Sequence, residues 1–106
     1  MPHVLIIEDE PLLGRNIRSS LTQAGYLATA VTTGEEGIET AEANAPDIVL
    51  LDLRLPGIDG MEVLRELRRR GSSASVIIMT AYGNIDGAVE AMKIGASVYL
   101  TKPLDL

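Results

Sequence analysis

Val4-Leu5-Ile6-Ile7-Glu8-Asp9-Glu10 and Ile48-Val49-Leu50-Leu51-Asp52 share one design: an unbroken apolar run, rich in β-branched side chains, that ends abruptly in acid. Val76-Ile77-Ile78-Met79-Thr80 repeats the run and ends in a hydroxyl. Apolar runs without polar alternation belong to strands covered on both faces, the situation of central strands in a parallel sheet. Leu27 to Val31 alternates through Ala28, Thr29 and Ala30, and Val98 to Leu100 is very short, so these two fit the sheet edges.

Working outward, the stretches between the runs carry helical spacing and recognisable ends. Pro11 suits a first helical position, with Leu13, Ile17, Leu21 and Ala24 following before a stop at Gly25. Thr33-Gly34-Glu35-Glu36 reads as a capping box for a helix with inner face Ile38, Ala41 and Ala45, ended by Pro46. Asp59 to Glu62 repeats the cap and leads to Met61, Leu64 and Leu67, with Arg68-Arg69-Arg70 in the last turn and Gly71 beyond. Asn84 is placed to cap a fourth helix carrying Ala88, Val89 and Met92 and closed at Gly95. Strict alternation of strand and helix implies right-handed crossovers and an α/β fold, a doubly wound five-stranded parallel sheet. With the three continuous runs central, the flavodoxin-like order 2-1-3-4-5 fits.

Composition narrows the function. The 106 residues, 46% of them hydrophobic and 23% charged, suit one folded domain. Nine Lys and Arg against fifteen Asp and Glu leave a net charge of −6, which argues against direct nucleic-acid contact. No apolar run is long enough for a membrane span and no secretory leader precedes the first strand, so a cytoplasmic location is expected. With no Cys and a single His3, thiol chemistry and histidine metal sites drop out, leaving carboxylates, hydroxyls, Lys and backbone.

Ligands of such sheets bind beyond the carboxyl ends of the strands, where strand order reverses. Glu8, Asp9 and Glu10 end the first strand, Asp52 the third, Thr80 the fourth, and the fifth runs into Thr101-Lys102-Pro103. Glu8, Asp9 and Asp52 should therefore converge, although ionised carboxylates about 4 Å apart in an effective dielectric near 20 repel by roughly 4 kcal/mol per pair. Lys102 is one remedy. A hard divalent cation is another, and oxygen-only donors suit Mg²⁺, with Mn²⁺ as the alternative. Such a cation keeps waters and readily accepts a phosphoryl oxygen. Any one of these acids is equally well a helix cap or a solvated loop charge; the five residues Glu8, Asp9, Asp52, Thr80 and Lys102 at one rim favour a site. Neither G-x-x-x-x-G-K-[ST] nor G-x-G-x-x-G occurs, so nucleotide readings lose their main support.

Ile7-Glu8-Asp9-Glu10, Leu51-Asp52-Leu53-Arg54-Leu55-Pro56-Gly57 with Asp59-Gly60, Met79-Thr80-Ala81, and Tyr99-Leu100-Thr101-Lys102-Pro103 together resemble the receiver domain of bacterial two-component response regulators over nearly the whole chain. The resemblance implies a phosphoacceptor switch that takes a phosphoryl group from the phosphohistidine of a sensor histidine kinase. Such a domain is no enzyme beyond its own phosphorylation and dephosphorylation. It implies Asp52 as phosphoacceptor, and Mg²⁺ held by Asp9, Asp52, the Arg54 backbone carbonyl and, through water, Glu8. Thr80, the Ala81 backbone and Lys102 would bind the phosphoryl oxygens, and Thr80 and Tyr99 would carry the conformational change to an output domain outside this chain, one that regulates transcription. Residues 80–93 look most similar to receivers of the nitrogen-regulatory activator class, and a homodimer is left open.

Glu8 stands where many relatives have Asp, which lengthens one arm without removing its charge. The sequence stops at Leu106, where receivers continue into a fifth helix, so residues 1–106 are expected to form a receiver truncated before its final helix, with one sheet face covered almost by the first helix alone. Blander readings stand beside the functional ones: Thr80 as a loop cap, Tyr99 as an edge aromatic, Arg68 to Arg70 serving the helix C-terminus in solvent, His3 at the surface or a strand end, Met61 and Met92 as core filler. A haloacid-dehalogenase-type phosphatase also uses a strand-end Asp with Mg²⁺, but needs a second acid where this chain has Arg54. A flavodoxin-like or degenerate binding module would not need the full set of phosphorylation residues.

Overall fold

A computed structural model describes residues 2–80 and 85–102. Nine elements alternate along the chain: β1 (His3–Ile7), α1 (Pro11–Gln23), β2 (Leu27–Val31), α2 (Gly34–Asn44), β3 (Ile48–Asp52), α3 (Gly60–Arg69), β4 (Ser75–Thr80), α4 (Ile85–Ile94) and β5 (Val98–Thr101). The strands form one parallel sheet in the order β2-β1-β3-β4-β5, as the apolar runs imply. Register pairs Ile7 with Leu51 and Asp52 with Met79, so β1, β3 and β4 end nearly level and their terminal side chains share one rim.

Alternation along each strand divides the core in two. Leu5, Ile7, Val49, Leu51, Val76 and Ile78 pack under Ile38 and Ala41 of α2, Val63, Leu64 and Leu67 of α3, and Ala91 of α4. Val4, Ile6 and Met79 point the other way and meet Ile17, Leu13 and Leu21 of α1. Among the described elements α1 alone lies on that second face. Met79 pairs with Leu100 and Ile77 with Val98, which puts both β5 side chains on the α1 side of the sheet, where they are exposed (41% and 44%).

The helix starts follow the caps. Thr33 Oγ1 accepts the Glu36 amide at 3.1 Å while donating to the Glu36 carboxylate at 3.2 Å, and Asp59 Oδ1 accepts the Glu62 amide at 3.0 Å. Pro11 opens α1, and Gly25, Gly71 and Gly95 stop three helices at positive φ, where a side chain would be strained. Asn84 lies outside the described residues. His3 is the first residue of β1, its ring 3.0 Å from Thr29 Oγ1.

Three expectations need correction. Ala45 is not on the inner face of α2: it follows the helix in a left-handed conformation, φ 44°, and is exposed, because Pro46 disfavours helical backbone at the residue before it. Val89 and Met92 are each 47% exposed, and among the described side chains of α4 the buried one is Ala91, a small residue within the larger core. Arg68 is not in open solvent. Its Nη1 donates to the Ser72 carbonyl at 2.9 Å and its Nη2 to the Gly95 carbonyl at 2.7 Å, tying the end of α3 to the end of α4. Arg69 and Arg70 do serve the surface, pairing with Glu66, and Arg70 also with Glu42.

Charge-assisted bonds such as those to the Ser72 and Gly95 carbonyls, just past the ends of α3 and α4, are worth roughly 1.5–3 kcal/mol each at most, and they share one side chain here. Arg68→Met should therefore lower stability in urea melts by about 2 kcal/mol. Arg69→Met, at a far more exposed position, should shift the midpoint much less, and equal shifts would contradict the clamp.

Candidate functional site

Glu8 follows directly on β1, Asp52 closes β3, Thr80 closes β4, and Lys102 follows β5. Glu8, Asp52 and Thr80 are the buried polar or charged side chains among the described residues, exposed by only 1%, 3% and 2%. Each sits at the end of an apolar strand whose neighbours are buried, so the sheet carries these groups into the interior along with its core. Asp9, one residue past Glu8, turns outward and is exposed.

One carboxylate oxygen from each of Glu8, Asp9 and Asp52 lies within 4.8 Å of the others. At such separations the repulsion between ionised carboxylates is on the order of 3–4 kcal/mol per pair in an effective dielectric near 20. The Lys102 ammonium meets that cost: Nζ donates to Asp52 Oδ2 at 2.8 Å and also to Glu8 Oε1. The remaining oxygens are held by backbone. The Arg54 amide donates to Asp52 Oδ1 at 2.9 Å, and the Glu10 amide to Glu8 Oε2 at 2.9 Å. Lys102 is itself placed by its own amide, which donates to the Thr80 carbonyl at 2.8 Å.

These surroundings set the protonation states. Burial pushes the Glu8 carboxyl up; the bonds from Lys102 and the Glu10 amide pull it down, and Asp9 and Asp52 push it up again, for a net value of about 7. Burial works against the charge on Lys102, but the bonds to Asp52 and Glu8 outweigh it and hold the ammonium above its ordinary range. At neutral pH the site thus contains the Lys102 cation beside a Glu8 carboxyl that is close to its own midpoint.

Beside the carboxylates a cleft of about 670 Å³ opens between the β3–α3 loop and α4, lined by Asp9, Arg54, Thr80, Met61, Gly87 and Glu90, among others. Met61, Gly87 and Glu90 were not anticipated as walls of the site: they come from two helices, and only the packing of those helices brings them to the rim. Arg54 is met through its amide, as described; Tyr99 is half-buried and packs against the larger core, paired with Ile78. Ala81 and Pro103 lie outside the described residues.

The donor set fits a hard divalent cation. All three groups are carboxylates, their oxygens are close enough to share one ion, and the exposure of Asp9 leaves room for retained water.

Residues 4–106 match the family described as response regulator receiver domain. Over 104 residues the chain is 41% identical to the uncharacterized transcriptional regulatory protein YkoG of Bacillus subtilis, covering 98% of this chain and 46% of that protein. It is 37% identical over 101 residues to the DNA-binding transcriptional regulator NtrC of Klebsiella pneumoniae, covering 95% of this chain and 22% of that one. The chain thus spans less than half the length of both relatives. Among solved structures, the signal receiver domain of a putative LuxO repressor protein from Vibrio parahaemolyticus superposes with a TM-score of 0.93 at 35% identity, over 98% of this chain and 80% of that one.

The raised Glu8 carboxyl has a consequence for stability. A group that binds its proton more tightly when folded contributes stability that is fully present below its unfolded value and is lost as pH rises through the folded one. In metal-free protein, urea melts should lose stability as pH rises from about 4.5 to about 7. Glu8→Gln should flatten that window, and an unchanged slope in the variant would remove Glu8 as its source.

Proposed function

The chain belongs to the response regulator receiver domain family, and from that membership we propose that Asp52 is the residue that accepts the phosphoryl group. The domain is a phosphoacceptor signalling switch of the kind found in transcriptional regulators, not an enzyme in the ordinary sense. The observation that carries the assignment to Asp52 is its setting: a buried carboxylate at a strand end, bonded to the Lys102 ammonium, with two further carboxylates within 4.8 Å.

The donor is the phosphohistidine of a sensor histidine kinase. A carboxylate oxygen of Asp52 forms the new bond to phosphorus while the bond from phosphorus to the imidazole nitrogen breaks, leaving an acyl phosphate on Asp52 and a free imidazole on the kinase. Anion attacks anion, so charge neutralisation and positioning are most of what the protein can supply. Lys102 receives phosphoryl oxygens, the Thr80 hydroxyl donates to them, and the Ala81 backbone amide does the same. Asp9, Asp52 and the Arg54 carbonyl would hold Mg²⁺, or Mn²⁺ in its place, with Glu8 contributing through water. When bound, the cation supplies positive charge for the transferring group and draws the carboxylates together.

Phosphorylation is read out through Thr80 and Tyr99. Thr80 closes β4 and lines the cleft, while Tyr99 lies within β5 and packs on the larger core, so a hydroxyl drawn toward phosphate favours one of two packings of that edge. The readers are an output domain outside this chain that regulates transcription and, in the assembled regulator, a second copy of the receiver. The domain acts in the cytoplasm without contacting nucleic acid itself, and a further helix after β5 completes it by covering Val98 and Leu100.

Incubation with acetyl phosphate and Mg²⁺ should raise the intact mass by one phosphoryl group. Asp52→Asn should not gain it, EDTA should block it, and Thr80→Ala should still be labelled. Equal labelling of Asp52→Asn would take the acceptor role away from Asp52.

A further inference from the structure

The main chain of Asp52 carries a second constraint, from α3. Gly60, the first residue of that helix, is buried, and its amide donates to the Leu53 carbonyl at 2.9 Å. A Cβ at Gly60 would lie 2.3 Å from the Asp52 carbonyl oxygen and 2.5 Å from Leu53 Cα, closer than real Cβ contacts come. Both obstacles are backbone. The helical glycines of α2 differ: a Cβ on Gly34 would meet side chains of Val63 and Ile58, and one on Gly37 the side chain of Ile7, which have rotamers to yield with. Nor is glycine needed at position 60 for its conformation, since its φ is not in the left-handed region. What the position requires is space.

Neither side of this contact is free to retreat. The start of α3 is held by the Asp59 cap on the Glu62 amide and by the Val63 amide on the Asp59 carbonyl, at 3.0 Å each. Asp52 is held by Lys102 and the Arg54 amide on its carboxylate, and the next amide, of Leu53, donates to the Met79 carbonyl at 3.3 Å. A side chain at position 60 must therefore move the end of β3 relative to Glu8, Asp9 and Lys102.

We propose that Gly60 is a positioning residue for phosphoryl acceptance: its bare Cα sets the depth at which the Asp52 main chain sits, and so where the Asp52 carboxylate meets the incoming phosphorus. The proposal rests on the reading of Asp52 as the acceptor. In-line attack is sensitive to small displacements, and a misplacement of about 1 Å can cost on the order of a hundredfold in rate.

The test compares Gly60→Ala with Gly71→Ala. Gly71 lies just beyond the other end of α3 with φ 85° and nothing within 4 Å of a Cβ, so its alanine variant strains the backbone without reaching Asp52. Phosphorylation rates at saturating acetyl phosphate and Mg²⁺ are read by intact mass, and stability by urea melts under the same conditions. Gly60→Ala should slow at least tenfold, beyond what its unfolded fraction explains, while Gly71→Ala, though destabilised, keeps its rate within twofold. A wild-type rate in Gly60→Ala, or the same slowing in both, overturns the proposal. Should Gly60→Ala not fold, Asp59→Ala removes the cap that seats the helix start; it should be folded and several-fold slower, and a wild-type rate there overturns the proposal instead. Label that persists in Asp52→Asn would overturn the acceptor reading and this one together.

Discussion

The Lys102 ammonium lies between Glu8 and Asp52, two carboxylates that the sheet buries almost completely. Without a cation there, the end of β1 and the end of β3 could not both keep their charge in the same few ångströms of interior. Lys102 is supplied by the last strand of the chain and the acids by the first and third, so the site closes only when β5 has paired with β4. The contact thus couples the completion of the sheet to the assembly of its chemistry.

The rest of the architecture serves to bring those ends level. Parallel pairing of β1 with β3 and of β3 with β4 sets Glu8, Asp52 and Thr80 on one rim, and turns past the strands aim backbone amides at the carboxylate oxygens. α3 presses its first residue onto the Asp52 backbone, and Arg68 ties the far end of that helix to α4. Rigid elements therefore meet Asp52 from several directions, while Asp9 and the neighbouring cleft stay open to solvent. For the proposed role of Asp52, a carboxylate fixed in place yet reachable is what a transfer governed by charge and geometry requires.

Much of this was legible from the order of residues. Continuous apolar runs marked Val4–Ile7, Ile48–Leu51 and Val76–Met79 as central, because only strands covered on both faces can dispense with polar alternation. Thr33 with Glu36 and Asp59 with Glu62 marked helix starts through local hydrogen bonds that depend on sequence spacing alone. The acids at the strand ends followed from the same reading. What escaped it depends on contacts made across the fold. In α4, Val89 and Met92 are as apolar as a core stripe should be, and helical period cannot say that the sheet will select the smaller Ala91. Arg68 finds the Gly95 carbonyl 27 residues away, and Gly60 owes its importance to a backbone that only the docking of α3 brings near. Close approach and distant partners are properties of packing, which periodicity does not encode.

The claim that a cation, ammonium or divalent metal, is what lets Glu8 and Asp52 sit together at this rim is open to a direct measurement. Urea melts of Lys102→Met and of the unaltered chain at pH 8 would be compared, first in EDTA and then across a Mg²⁺ titration. The account predicts that the metal-free variant is less stable and that Mg²⁺ raises its midpoint more steeply than that of the unaltered chain, because the metal then supplies charge the ammonium no longer does. A metal-free variant as stable as the unaltered chain, with the same response to Mg²⁺, would contradict it.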